Sequence, residues 1–90
     1  MNEFEKAVKY YTALINENPR SKYAWNGLGL ALEQVNRLEE SIECFHQAIQ
    51  NDRHFYWPYY NLGVAQNKNH DYKDAIQSYR KAIELNPNFS

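Results

Sequence analysis

The sequence predicts an all-α fold in which five helices form a stack of antiparallel hairpins. Three observations support this prediction. Residue types recur at a fixed interval, apolar residues inside each interval follow a helical spacing, and turn residues stand between the apolar runs. Ninety residues with one cysteine fit a single small domain over 1–90 without an internal disulfide.

The fixed interval is 34 residues. Placing the segment 22–55 on 56–89 needs no gap, and Trp25 falls on Tyr59, 34 positions later. The further matched pairs are Leu28 with Leu62, Gly29 with Gly63, Ala31 with Ala65, Ser41 with Ala75, Ile42 with Ile76, Phe45 with Tyr79, Ala48 with Ala82 and Ile49 with Ile83. The segment 1–21 matches the second half of the interval. The sequence therefore predicts a half repeat followed by two full repeats.

Within each repeat the apolar residues occur at the spacing of an α-helix. Trp25, Leu28 and Leu32 stand at i, i+3 and i+7, and a second stripe begins at Ser41. Each full repeat is therefore a pair of helices, and we name the first helix of a pair A-type and the second B-type. The predicted helices lie near 2–17, 22–35, 38–51, 57–69 and 72–85, in the order B-A-B-A-B.

Turn residues separate the predicted helices. Pro19 cannot continue a helix, and Ser21 can cap the helix that follows. Asn36 and His70 stand inside the two pairs, where a residue in the left-handed conformation usually closes a helix. Asp71 is predicted to cap the last helix. These signals mark three of the four turns that the repeat requires.

The motifs at these positions resemble the tetratricopeptide repeat. They are A-W-N-G-L-G-L, Y-Y-N-L-G-V, E-S-I-E-C-F-H-Q-A-I and D-Y-K-D-A-I-Q-S-Y-R-K-A-I-E-L-N-P-N, and they cover essentially the whole chain. Leu32 and Gln66 stand where the family often has Tyr, Ser41 where it has Ala, and Arg53 where it has Pro. The resemblance implies a right-handed α-solenoid of about two and a half repeats, with A-type helices lining a concave groove and B-type helices outside.

The resemblance also implies which residues face the groove. The residues predicted to bind a partner are Tyr23, Asn26, Leu30, Glu33, Trp57, Tyr60, Asn61, Val64 and Asn67. Apart from Asn61, they are spaced 3, 4 and 3 apart, on a helix face about 100° from the core stripe. Aromatic anchors dominate binding energies, so we expect a protein–protein interaction module, an adaptor that binds a peptide or a partner's helix. The alternative is a packing role, in which Trp57 covers the adjoining helix end.

Some members of the family clamp the C-terminal carboxylate of a partner with Lys, Arg and Asn side chains. Asn61 matches one element of that clamp, but Asn26 and Leu30 stand where the clamp needs Lys and Asn. We therefore expect no such clamp. An extended or helical peptide with hydrophobic side chains is the expected ligand.

The two ends of the predicted stack carry apolar faces that lack a neighbouring helix. The first helix has no A-type helix before it, and the last has none after it. The residues predicted to self-associate at these ends are Phe4, Tyr11, Ile76, Tyr79 and Ile83. We therefore expect the sequence to be part of a longer array or to form a homo-oligomer. A self-assembling scaffold is the alternative function.

Other function classes lack their signals. A net charge of -1 without a basic stripe argues against nucleic acid and anionic membranes as partners. His46, His54 and His70 lack metal-ligand spacing, and Cys44 has no evident activating base. We therefore predict no enzyme activity, no metal and no cofactor. The single cysteine and the absence of a signal or membrane segment after Met1 favour the cytoplasm.

Overall fold

The computed structural model describes residues 2–88, which contain five α-helices and no strand. The helices are α1 (Glu3–Glu17), α2 (Lys22–Gln34), α3 (Leu38–Asn51), α4 (Trp57–Lys68) and α5 (Tyr72–Leu85). Each begins and ends within one residue of its predicted bounds, so the all-α prediction is confirmed. Met1 of the predicted half repeat and Phe89 of the last predicted repeat lie outside the described residues.

Side-chain capping follows the prediction at one helix and departs from it at another. The Ser21 hydroxyl accepts a hydrogen bond from the backbone N–H of Ala24 at 3.2 Å, as expected for the start of α2. Asp71 is the N-cap residue of α5, as predicted, but its carboxylate accepts a hydrogen bond from Asn69 Nδ2 at 2.9 Å and makes no capping bond to the helix.

One backbone arrangement closes both hairpins. Asn36 and His70 have φ values of 63° and 64°, the left-handed conformation that the sequence predicted there. The N–H of Arg37 reaches back to the carbonyl of Leu32 at 2.9 Å, and the equivalent bond in the second hairpin measures 2.8 Å. This is the Schellman motif, which satisfies the carbonyls at the end of an A-type helix and turns the chain into the B-type helix.

Small residues bring the two helices of each hairpin close together. A Cβ atom placed on Gly29 would lie 2.5 Å from the ring of Phe45, and one on Gly63 would lie 2.8 Å from the ring of Tyr79. The Ser41 hydroxyl donates a hydrogen bond to the carbonyl of Gly29 at 2.8 Å. Ser41 is therefore satisfied although it is buried, which explains how Ser replaces the usual Ala in this slot.

The hairpins stack in sequence, so the fold is an α-solenoid. α2 packs against α1, α3 and α4, and α4 packs against α2, α3 and α5. Among the described helices, α1 touches only α2, and α5 touches only α4. The two A-type helices consequently lie side by side, which creates the groove described below. No helix within residues 2–88 has both the length and the apolar character needed to cross a membrane.

Candidate functional site

A pocket of about 650 Å³ lies where the two A-type helices meet the loop that precedes α4. Its lining residues are Tyr23, Asn26, Leu30, Phe55, Trp57 and Asn61. Five of these were predicted from the sequence as groove residues, and the structure brings those five together around one cavity. We name this cavity the groove pocket.

Local sequence fixes the aromatic walls of the groove pocket. Tyr23 lies in the first turn of α2, is 67% exposed, and meets the ring of Phe55 edge-to-face at 5.4 Å between centroids. Trp57 begins α4, where the following Pro58 is buried and is tolerated because the first turn of a helix needs no N–H donor. The walls are therefore anchored at two helix starts and extend toward solvent.

Two asparagines link the A-type helices at the groove pocket. Asn61 Nδ2 donates a hydrogen bond to Asn26 Oδ1 at 3.0 Å, and Asn61 is only 7% exposed. Each amide keeps further hydrogen-bonding capacity, because one amide group has two donor hydrogens and an acceptor oxygen with two lone pairs. The pair offers donors and an acceptor that match a peptide group.

A charged pair lies at the edge of the groove pocket. Lys22 Nζ forms an ion pair with Asp52 and lies 5.2 Å from the ring centroid of Tyr23 and 5.1 Å from that of Phe55. The hydrogen bond between the two side chains raises the pKa of Lys22 and lowers that of Asp52. The charge of Lys22 is thus engaged by an acidic group and two aromatic rings.

Glu33 does not line the groove pocket. It is only 6% exposed, and its Oε1 accepts a 3.0 Å ion-pair contact from Lys68 Nζ. The contact joins α2 to α4, so the structure gives Glu33 a place in the junction between repeats. A buried carboxylate needs such a partner, because leaving it unpaired is costly.

The other predicted groove residues lie farther along α4. Tyr60 is half-buried, with ring centroids 6.3 Å from Trp57 and 5.7 Å from Tyr79. Val64 is half-buried and Asn67 is exposed. None of the three lines the groove pocket, although Tyr60 supports Trp57 from the side.

The predicted self-association residues fall into two classes. Phe4, Ile76 and Ile83 are about half exposed, whereas Tyr11 and Tyr79 are partly buried within the chain. Tyr11 packs against Gly27 and Tyr79 against Gly63, each on the neighbouring A-type helix. Phe4 and Tyr11 also line a smaller pocket of about 180 Å³ that shares Leu30 with the groove pocket.

Phe55 is the lining residue that the sequence analysis missed. It lies in the loop between α3 and α4, outside the helical stripes that were used to choose groove residues. One signal was available: Phe55 aligns with Phe89 at the end of the next repeat. An apolar residue at the same turn position of both repeats suggests that its side chain packs against a neighbouring helix.

Cys44 lies in the core, not in a cleft. Burial, followed by the nearby Glu40 and Glu43 carboxylates, raises the pKa of its thiol to about 12. The thiolate is the nucleophilic form, so this environment disfavours reactivity. Within the part of the chain that the structure describes, no cluster of three or more His, Cys, Asp or Glu side chains could hold a metal ion.

Comparisons with known proteins agree with this architecture. The tetratricopeptide repeat model matches residues 23–55 and 56–89. The peroxisomal targeting signal receptor of Candida glabrata is 32% identical over 93% of this chain, and the match spans 14% of that receptor. The chain therefore corresponds to a small part of such a relative's length.

Solved structures show the same fold. The TPR2B domain of yeast Sti1 in its complex with pHsp70 has a TM-score of 0.92 at 24% identity, covering 97% of this chain and 70% of that one. The second TPR of Spaghetti, bound to the HSP90 peptide SRMEEVD, has a TM-score of 0.89 at 20% identity, covering 93% and 78%. With its 34-residue period, stacked hairpins and matching repeat model, the chain belongs to the tetratricopeptide repeat family.

Proposed function

We propose that this chain is a protein–protein interaction module whose groove pocket binds a peptide through a large uncharged side chain. The observation that carries the proposal is the lining of the pocket. Three aromatic side chains and Leu30 form its walls, and none of its six lining residues carries a charge at neutral pH. Apolar walls with a few polar groups are typical of ligand sites in proteins.

The asparagine pair supports a bound peptide backbone. Asn61 Nδ2 donates to Asn26 Oδ1. This bond does not use the hydrogens of the Asn26 amide or the oxygen of the Asn61 amide, which can therefore bond to a ligand. A peptide carbonyl can accept from Asn26 while the adjacent N–H donates to Asn61. The pocket then selects the side chain, and the asparagines hold the backbone beside it.

The charges around the groove favour an apolar ligand over an acidic one. The Spaghetti domain binds SRMEEVD, a peptide rich in carboxylates. Here Lys22 is paired with Asp52, and Lys68 is paired with Glu33. A carboxylate ligand at either lysine would meet the acidic partner already bound there, and displacing Lys68 would leave the buried Glu33 uncompensated.

Isothermal titration can test this preference with two probes. The first is a set of amidated hexapeptides with a central Leu, Phe or Trp and no charge, and the second is SRMEEVD with a free C-terminus. We expect the neutral peptides to bind more tightly. Leu30→Asp should weaken their binding by about tenfold or more, because it places a charge in the apolar wall.

The matched control is Gln50→Asp, which introduces the same charge at an exposed position of α3 outside the groove pocket. It should leave peptide affinity unchanged. Tyr23→Ala is a second groove variant with little risk to folding, because Tyr23 is largely exposed. Tighter binding of SRMEEVD, or equal binding by the Leu30 and Gln50 variants, would contradict the proposal.

A second candidate function is self-association as a homo-oligomeric scaffold. The exposure of Phe4 on α1 and of Ile76 and Ile83 on α5 favours it, because large apolar side chains at the ends of a stack invite contact. Sedimentation of a dilution series would show species larger than a monomer, and Phe4→Asp would reduce their fraction. Asn16→Asp, an exposed change on α1, is the control.

We further propose a reducing, cytoplasmic setting and a role without catalysis. Support comes from the buried, unpaired thiol of Cys44, which is the only cysteine in the sequence. Support for a binding role comes from the groove, whose lining residues form an anchor site and contain no activated nucleophile or base. In this proposal, any catalytic activity of the complex would belong to the bound partner and not to this chain.

A further inference from the structure

The ion pair at the edge of the groove pocket consists of two charges at unfavourable helix ends. Lys22 is the first residue of α2, and Asp52 is the C-cap residue of α3. A helix dipole is positive at its N-terminus and negative at its C-terminus, so it disfavours a lysine at the first and an aspartate at the second. The two helices therefore do not explain why these charges are present.

The repeat does not need the two charges either. The C-cap residues of the three B-type helices are Asn18, Asp52 and Asn86. Asn18 Oδ1 accepts a hydrogen bond from the N–H of Arg20 at 3.2 Å, and Asp52 Oδ1 accepts the equivalent bond from the N–H of His54 at 3.0 Å. An asparagine is thus sufficient for this turn. The counterpart of Lys22, 34 residues later, is the uncharged Tyr56.

The two charges meet where the groove pocket has aromatic walls. Asp52 Oδ2 forms the ion pair with Lys22, whose Nζ also lies 5.2 Å from the ring centroid of Tyr23 and 5.1 Å from that of Phe55. A carboxylate beside aromatic rings at such distances is a set of groups that recognises an ammonium or a guanidinium. We name Asp52, Tyr23 and Phe55 the cation corner. Lys22 is its occupant in this chain.

We propose that Lys22 is a specificity-determining residue of the groove pocket, because its ammonium fills the cation corner and so excludes a lysine or arginine side chain of the ligand from it. This proposal rests on the peptide-binding function proposed above. Tyr23 and Phe55 belong both to the cation corner and to the lining of the groove pocket. A cationic side chain in the pocket would therefore reach the corner and find its carboxylate already paired.

An uncharged side chain loses nothing by this arrangement, since it needs only the apolar walls of the pocket. A cationic side chain gives up water and gains no counter-ion, which is costly. Removing the Lys22 charge should reverse this preference, because the Asp52 carboxylate and the two rings would then face a ligand cation directly. The reversal distinguishes a specificity role from a purely structural link between α2 and α3.

The first test compares amidated hexapeptides with a central Leu or a central Arg and no other charge, by isothermal titration. The unaltered chain should bind the Leu peptide at least about fivefold more tightly. Lys22→Met keeps a long apolar side chain and removes the charge. We expect it to raise the affinity for the Arg peptide by about tenfold relative to that for the Leu peptide, because a guanidinium pairs with a carboxylate and stacks on aromatic rings.

Two control variants locate the effect. Adding Asp52→Asn to Lys22→Met removes the carboxylate and keeps a residue that makes the same turn at Asn18, so the gain for the Arg peptide should disappear. Lys73→Met removes the same charge from an exposed position of α5 outside the pocket and should leave the Leu-to-Arg preference unchanged. An equal loss of both peptides in Lys22→Met, or a gain that survives Asp52→Asn, would overturn the proposal.

A second test needs no peptide. Methylguanidinium is titrated into protein with labelled aromatic rings, and the ring signals of Tyr23 and Phe55 are followed by NMR. They should shift in Lys22→Met but not in the unaltered chain or in the double variant. This result without binding of either peptide would refute the proposed function and leave Lys22 as the occupant of the cation corner. Peptide binding without the ring shifts in Lys22→Met would overturn the inference about Lys22 alone.

Discussion

The two hairpins of this chain share one residue pattern but are enclosed to different degrees. The first hairpin, α2 and α3, lies between α1 and α4, whereas α5 of the second hairpin meets only α4 among the described helices. Phe45 is accordingly 0% exposed, and Tyr79, its counterpart, is only partly buried. The pattern determines how the helices of a hairpin meet, and the neighbouring helix determines how much surface that meeting buries.

Each hairpin also buries a serine hydroxyl, and the two hydroxyls have different hydrogen-bond partners. In the first, the Ser41 hydroxyl donates to the carbonyl of Gly29 at 2.8 Å. In the second, the Ser78 hydroxyl donates to Gln66 Oε1 at 2.6 Å. Each departure from the usual apolar pattern is thus matched by a partner on the facing helix. No buried side-chain nitrogen or oxygen in the described part of the chain lacks a hydrogen-bond partner.

The largest expected effect comes from truncating the aromatic residue that fills each hairpin. Phe45→Ala should lower the free energy of unfolding by about 4 kcal/mol, because a fully enclosed ring leaves a cavity that the surroundings cannot close. Tyr79→Ala should cost about 2 kcal/mol, since its ring borders solvent and the space can fill with water. Urea unfolding followed by circular dichroism at 222 nm measures both.

The difference between these two variants is the informative quantity. Ile83→Ala on the exposed face of α5 serves as a reference, because removing an already exposed side chain should cost well under about 1 kcal/mol. Equal losses for Phe45→Ala and Tyr79→Ala would show that enclosure by neighbouring helices does not set the energy of the repeat.

A smaller contrast is expected when a bulky side chain replaces each packing glycine. Gly29→Leu should destabilise by about 3 kcal/mol, because the added atoms meet the enclosed Phe45 ring. Gly63→Leu should cost about 1–2 kcal/mol, since the Tyr79 ring that it meets is only partly buried and is less constrained than Phe45. Thermal unfolding of the two variants tests the order. A larger loss at Gly63 would contradict it.

The fold was predictable because its determinants repeat along the chain. Apolar spacing set the five helices, and the left-handed positions at Asn36 and His70 followed from their place between helices. The exception was Asp71, where the nearby Asn69 amide takes the carboxylate that was expected to cap α5. Local sequence did not show whether the Asp71 carboxylate would accept from the Asn69 amide or from a backbone N–H in the first turn of α5.

The lining of the groove pocket was less predictable than the fold, because a residue on the groove side of an A-type helix does not always line the pocket. Helical spacing put Glu33 on the same face as Tyr23 and Leu30, but it could not show that Lys68 from α4 reaches Glu33 and ties it into the junction between repeats. Phe55 was missed for the opposite reason, since it lies in a loop to which no helical spacing applies. Both outcomes depend on contacts between segments about one repeat apart.

The smallest expected effect concerns the turns that close the two hairpins. His70→Gly should stabilise the chain by about 0.5–1 kcal/mol, because glycine adopts a positive φ without the steric cost that a Cβ atom brings. Asn36→Gly should change stability by less than about 0.5 kcal/mol, since asparagine already tolerates this conformation. His70 also contacts the Tyr72 hydroxyl through Nδ1 at 2.7 Å, an exposed bond whose loss offsets part of the gain. Tyr72→Phe removes that bond alone. The loss of unfolding free energy that it causes should be added to the gain measured for His70→Gly before the two turns are compared by urea unfolding. If Asn36→Gly stabilised the chain more than His70→Gly, the backbone conformation would not be what distinguishes the two turns.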